Sequence, residues 1–178
     1  YGPTLNVPPA RFEQVIRTNM LGVYHGSFSA MQHFVAQGQG KLINLLGRGD
    51  NGPQPFQNAY ASSKVWVRNF TKALAAEYKT SGVGVYGFNP GLVMTELLSE
   101  IEVAPGYEAK VQPLSTVVRL WGKPAEIPAQ TLVWLASAAT DGKTGLIVNQ
   151  LGKAQLIRGV LQEGWRRRGR SGRNQRAA

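Results

Sequence analysis

No cysteine occurs in this sequence, which excludes a disulfide framework, a thiolate zinc site and a cysteine nucleophile. Only two histidines are present, His25 and His33, too few for a histidine-rich metal site. No apolar run approaches the roughly 18 residues that a membrane-spanning helix needs, so no membrane partner is expected. The opening stretch YGPTLNVPPARFEQ lacks the basic segment and apolar run of a secretory signal, and a cytoplasmic location is expected. The first residue is tyrosine rather than methionine, which reads as a start inside a longer polypeptide. Acidic residues are also scarce: 10 Asp and Glu stand against 20 Lys and Arg, for a net charge of +10.

That excess is concentrated at one end. Residues 153–178 hold eight basic residues and a single acid, Glu163, and the remainder is close to balance. The last stretch, GWRRRGRSGRNQRAA, offers almost nothing to bury and reads as a disordered segment. No recognition module accompanies it, so nucleic acid is not an expected partner. The body is different. With 178 residues, 43% hydrophobic and 17% charged, the chain has the size and composition of one globular domain. The organisation expected is a domain over 1–160 and a basic tail over 161–178.

Along the body, helical and extended patterns alternate. After Pro8 and Pro9, apolar residues from Phe12 to Val35 recur at steps of three and four, which predicts a long helix over 9–36. Gly38 and Gly40 end it. Residues 41–46, KLINLL, form a short apolar run between glycines, the pattern of a buried strand. Residues 47–57, GRGDNGPQPFQ, read as a loop. A second helix is expected over 58–80, a strand over 83–88, a helix over 124–139 with Ile127, Leu132 and Leu135 inward, and a last strand over 145–150. Residues 92–122 read as a mixed region of short helices. Helices placed between fully apolar strands imply right-handed crossovers and a parallel sheet.

The chemistry-bearing string is N-A-Y-A-S-S-K, at 58–64. Tyr60 and Lys64 are four apart at a helix start and so share a face. A free phenol has a pKa near 10. An ammonium one turn away favours the phenolate, and such a shift would make Tyr60 a general acid and base near neutral pH. Its position after a strand and a long Gly/Pro loop is where parallel-sheet enzymes place their sites.

With these residues the sequence resembles the short-chain dehydrogenase/reductase family. N-M-L-G at 19–22, G-K-L-I-N at 40–44, Y-A-S-S-K at 60–64, N-P-G-L-V-M-T at 89–95 and N-Q-L-G at 149–152 match its motifs in order. The similarity covers roughly residues 5–160. It implies an α/β fold, a Rossmann-like parallel sheet with flanking helices, and an oxidoreductase that interconverts a carbonyl and an alcohol with NAD or NADP. By the same resemblance Tyr60, Lys64 and Asn19 are the catalytic residues. Tyr60 would exchange the proton with substrate, Lys64 would lower its pKa and hold the nicotinamide ribose, and Asn19 would hold a water in a relay to Lys64. Pro90, Gly91, Val93 and Thr95 would join Tyr60 and Lys64 in cofactor binding, with Leu97, Leu98, Ile101 and Tyr107 facing a small-molecule substrate. No metal is implied. Relatives often pair through the helices corresponding to 9–36 and 58–80, so a homo-oligomer is expected.

Two departures qualify the resemblance. The serine usually found thirteen residues before the tyrosine is here Gly47. Loss of one hydrogen-bond donor to the reacting oxygen costs on the order of 100- to 1000-fold in rate. Arg48, Asp50 and Asn51 are the candidate replacements, with Arg48 the best donor by chemistry. Second, no first strand with a Gly-rich turn after it precedes the strand at 41–46, so the N-terminal half of the doubly wound fold is expected to be missing and the chain to begin just after the fourth strand. The strand at 41–46 would then present an unpaired edge, and the chain by itself would bind NAD(H) or NADP(H) poorly or not at all. The alternative to an enzyme is a non-catalytic, degenerate domain that kept the fold and lost part of the site.

Overall fold

The computed structural model describes residues 1–99 and 101–151. The basic tail expected over 161–178 and the domain end expected at 160 lie outside the described residues, as does the side chain of Leu97.

Helix α1 spans Pro9–Ile16 and begins with Pro9 in the first turn, where its missing N–H costs nothing. It passes through a π-helical turn at Arg17–Leu21 into α2, Gly22–Gln37. The helix expected over 9–36 is therefore interrupted by a wider turn, which the apolar periodicity does not register. Strand β1 (Gly40–Leu45) follows, then α3 (Asn58–Glu77) and β2 (Val83–Asn89). Short helices α4 (Glu96–Ser99), α5 (Glu108–Val111) and α6 (Pro113–Trp121) fill the mixed region. Helix α7 (Glu126–Ala136) and strand β3 (Ile147–Asn149) complete the described part.

The strands form a parallel sheet in the order β1-β2-β3, as expected for strands joined by helical crossovers. In β1 and β2, Gly40 stands opposite Val83 and Leu45 opposite Phe88. Strand β2 is central, and Val83 through Phe88 are all buried. Alternate β2 side chains feed two cores. Val83 and Val85 pack with Met31 of α2 and Leu74 and Ala75 of α3; Tyr86 and Phe88 pack with Leu135 of α7. The sheet is thus covered on both faces, which is why β2 reads as a continuous apolar run. The Tyr86 hydroxyl, fully buried, lies 3.0 and 2.8 Å from the carbonyls of Thr140 and Lys143.

Several expected boundaries move. Strand β1 is an edge strand of the described sheet, and Leu45 is 49% exposed rather than buried. Helix α7 stops at Ala136, because Ser137 turns extended and its hydroxyl accepts from Ala139 N–H to open a 3-10 turn over Ala138–Thr140. Ile127, expected inward, is exposed, whereas Leu132 and Leu135 do face the core. The last strand covers three residues of the expected 145–150.

Leu135 is fully buried, whereas Val133 two residues earlier is mostly exposed. Leu135→Ala should cost about 2–5 kcal/mol of stability in urea unfolding, and Val133→Ser within about 0.5 kcal/mol of none.

Candidate active site

Parallel strands send their C-terminal ends to one edge of the sheet, and the side chains singled out in the sequence gather there. Tyr60 lies in the first turn of α3 and Lys64 in the next. The Lys64 ammonium stands 5.6 Å from the centre of the Tyr60 ring and donates to the carbonyl of Leu45, the last residue of β1, at 3.1 Å. The lysine therefore ties the start of α3 to the end of β1. Both side chains are partly buried.

The loop leaving β1 runs beneath α3. Gly47 lies directly under Tyr60, and its carbonyl accepts from Asp50 N–H and from the Asn89 amide nitrogen, both at 3.1 Å. Asp50 is buried and forms a 3.0 Å ion pair with Arg68 of α3. Asn89, at the end of β2, also accepts from Gly91 N–H at 3.0 Å. One side chain thus braces the exits of β1 and β2 and shapes the Asn89–Pro90–Gly91 turn.

Asn19 sits in the π-helical turn, a feature that often marks functional positions. Its amide donates to Ser63 Oγ at 2.9 Å, and that hydroxyl donates to the Tyr60 carbonyl at 2.6 Å. Asn19 is brought against α3, but its direct partner is Ser63 rather than Lys64. Val93 is half-buried and bridged to Lys123, and Thr95 is exposed just before α4. The structure joins Tyr60, Lys64, Asn19, Pro90 and Gly91 through short chains of contacts; Val93 and Thr95 stand farther along the chain that leaves β2. Of the candidate donors, Arg48 turns to Gln54 at 2.9 Å and Asp50 is taken by Arg68.

The electrostatics differ from the sequence expectation. Burial, and after it the Asp50 carboxylate, push the Tyr60 phenol above its ordinary value. Burial pulls the Lys64 ammonium below its ordinary value, with Asp50 acting in the opposite direction. The expected depression of Tyr60 by Lys64 is not met, because the partly buried phenol also faces a fixed negative charge. Sequence reasoning missed the Asp50–Arg68 pair as a feature of the site. Tyr60, Lys64 and Arg68 at four-residue spacing on one helix face were the available signal.

Known proteins resemble this chain in sequence and in fold. The sequence pattern of the short chain dehydrogenase family matches residues 1–105. Galactitol 2-dehydrogenase (L-tagatose-forming) of Cereibacter sphaeroides is 35% identical over 147 residues, covering 81% of this chain and 57% of that protein. The fold superposes on gluconate 5-dehydrogenase from Burkholderia cenocepacia, solved with NADP and tartrate, with a TM-score of 0.69 and 26% identity, over 83% of this chain and 57% of that one. It also superposes on 3-ketoacyl-(acyl-carrier-protein) reductase from Brucella melitensis, complexed with NADH, with a TM-score of 0.71 and 23% identity, over 86% and 61% of the two chains. The chain spans about half the length of the curated relatives it matches. More than half of its residues fall within the matched family pattern, on a parallel sheet that superposes on solved dehydrogenases, and this chain belongs to the short chain dehydrogenase family.

Proposed function

We propose that this chain carries the proton-transfer site of an NAD(P)-dependent oxidoreductase that interconverts a carbonyl and an alcohol on a small molecule. The observation that carries this reading is the Tyr60–Lys64 pair, held at the sheet's C-terminal edge by the Lys64 bond to the Leu45 carbonyl. The names of the galactitol and gluconate dehydrogenases support a hydroxylated small-molecule substrate.

The donor set here fits the nicotinamide end of such a cofactor. Lys64 offers an ammonium whose Leu45 bond uses only one of its three protons. Tyr60 adds a hydroxyl, and the braced Asn89–Gly91 turn leads into Val93 and Thr95. When bound, the reduced cofactor supplies a hydride. Tyr60 then acts from its protonated form: its O–H gives a proton to the carbonyl oxygen as the carbonyl becomes an alcohol, and the resulting phenolate is reprotonated from solvent. Lys64 offsets that phenolate charge, and Asn19 holds α3 in place through Ser63. A phenol raised above its ordinary value is protonated at neutral pH, so this site favours carbonyl reduction there. Alcohol oxidation needs the phenolate and gains rate as pH rises toward that raised value.

One observation favours a second reading, a non-catalytic relative: position 47 carries no hydroxyl to support the reacting oxygen. Turnover decides between the two. In the complete protein, assayed with NAD(P)H and a panel of ketones and sugars, Tyr60→Phe should lower kcat/KM by at least about 100-fold. Oxidation of the product alcohol should climb with pH through the alkaline range while reduction does not. Equal rates for the two proteins would favour the non-catalytic domain.

Two further expectations accompany this reading. Its two G-x-G-x-x-G strings are not placed to cradle a pyrophosphate: residues 82–87 run into and along strand β2, and residues 47–52 belong to the loop beneath α3, a helix that opens only at Asn58. Calorimetry on the 178-residue chain should therefore give a Kd for NAD(H) and NADP(H) weaker than about 1 mM. Leu21, Tyr24, Phe28 and Val35 of the first long helical stretch and Val65 of α3 are exposed apolar residues, the faces that would pair in a homo-oligomer through 9–36 and 58–80. Sedimentation should show a species larger than one chain, and Phe28→Glu should shift it toward the monomer.

A further inference from the structure

A β-carbon at Gly47 would stand 2.4 Å from the Tyr60 hydroxyl oxygen and 3.3 Å from both Tyr60 Cζ and Lys64 Cε. Unbonded heavy atoms prefer separations near 3.5–4.0 Å. The phenol hydroxyl thus fills the volume that any other residue at this position would occupy.

The loop backbone gives little room for relief, so the group that would move is the Tyr60 hydroxyl at the end of its side chain. The Gly47 carbonyl is fixed by two donors, Asp50 N–H and the Asn89 amide. Gly49 has φ 86° and lies so close to α3 that a β-carbon there would be 2.6 Å from Ala61 Cβ. Its left-handed backbone suits glycine for that reason too. Asp50, buried and paired with Arg68, anchors the next residue of the loop. The loop is therefore clamped beneath α3 at positions 47, 49 and 50.

We propose that Gly47 is a positioning residue, whose missing side chain seats the Tyr60 hydroxyl against the end of β1, and that a serine at this position displaces the phenol instead of assisting it. The inference rests on the catalytic reading above for its functional meaning, since the seated hydroxyl is the proton donor there. It departs from the expectation that Gly47 is simply a lost donor.

Among the described residues, the charged groups around the seat are few. Helix α3 itself contributes Lys64 over the ring and Arg68 bound to Asp50. The loop contributes Asp50, while Arg48 is engaged by Gln54. Leu45, Leu46 and Gly47 at the end of β1 carry no ionisable side chain, and the π-helical turn contributes Asn19 through Ser63. In the seat, burial and Asp50 both oppose ionisation of Tyr60. As pH rises past 10.0 the unfolded chain loses the phenol proton first, so this contribution to stability is present below that pH and falls above it.

Two measurements on this chain test the seat without cofactor or substrate. In urea unfolding of Gly47→Ala, Tyr60→Phe and the double variant, Gly47→Ala should lower the midpoint modestly when Tyr60 is present, because the atom it meets is the far end of a side chain that can swing aside. Most of that loss should vanish in the Tyr60→Phe background, where the oxygen at 2.4 Å is gone. In ultraviolet titration, Tyr60→Phe should remove a tyrosine transition lying above 10.0. Gly47→Ser, or Gly47→Ala should the serine variant not fold, should bring that transition down toward 10.0 as the phenol leaves its buried seat. Additive effects in the cycle, or an unchanged titration, would overturn the proposal. Absence of turnover in the complete protein would overturn the catalytic reading and leave both measurements standing.

Discussion

The parallel pairing of β1 with β2 sets the level at which everything else stands. Six residue pairs run in register from Gly40 opposite Val83 to Leu45 opposite Phe88, and Leu46 N–H extends the ladder to the Phe88 carbonyl at 2.8 Å. The Asn89 amide then closes the end on the Gly47 carbonyl. Two chain exits are forced to one edge at one height. A loop from the first and a turn from the second must meet above the sheet, and α3 begins where they meet. The position of Tyr60 follows from this backbone arrangement before any of its own contacts are counted.

Much of this arrangement was legible in the letters. The string VGVYGF could only be a strand buried on both faces, and its two core clusters follow from the alternation of a pleated strand. The N-A-Y-A-S-S-K spacing placed Tyr60 and Lys64 on one helix face. The features that the letters do not carry have physical reasons. The π-helical turn at Arg17–Leu21 adds a residue to a helical circuit without breaking the run of apolar positions, so periodicity passes over it. Ile127 belongs to the apolar pattern of α7 yet is exposed, because a stripe states which residues share a face and not how far along the helix its partner extends. The Asp50–Arg68 pair joins a loop to a helix eighteen residues later, a separation at which no local rule acts.

The electrostatics of the site depart from the sequence spacing for a related reason. Sequence spacing brings the Lys64 cation near Tyr60 but is silent on burial and on the loop's charge. In the folded chain the ammonium is over the ring and its hydrogen bond goes to a carbonyl, while Asp50 is held nearby by Arg68. A lone buried carboxylate would be costly; the Arg68 partner makes its retention possible. Burial first, and then the Asp50 carboxylate beside it, disfavour ionisation of the Tyr60 phenol.

The close approach of α3 to β1 links these features. Four residues of helix advance about 6 Å, and two residues of strand about 6.6 Å. The step from Tyr60 to Lys64 thus nearly matches the step from Gly47 back to Leu45, and each helix residue meets the backbone position below it. Farther along the same interface, Thr71 Oγ1 accepts from the buried Asn44 amide at 3.0 Å. Small residues at 47, 49 and 61 let the helix lie this low. The distance that lets Lys64 reach the Leu45 carbonyl is the same distance that leaves no volume at position 47. A side chain there must either tilt the phenol away or lift the helix start, and lifting it would part Lys64 from Leu45 and Ser63 from Asn19. The glycine and the lysine anchor are therefore two consequences of one packing distance, and neither can be altered without disturbing the hydroxyl between them.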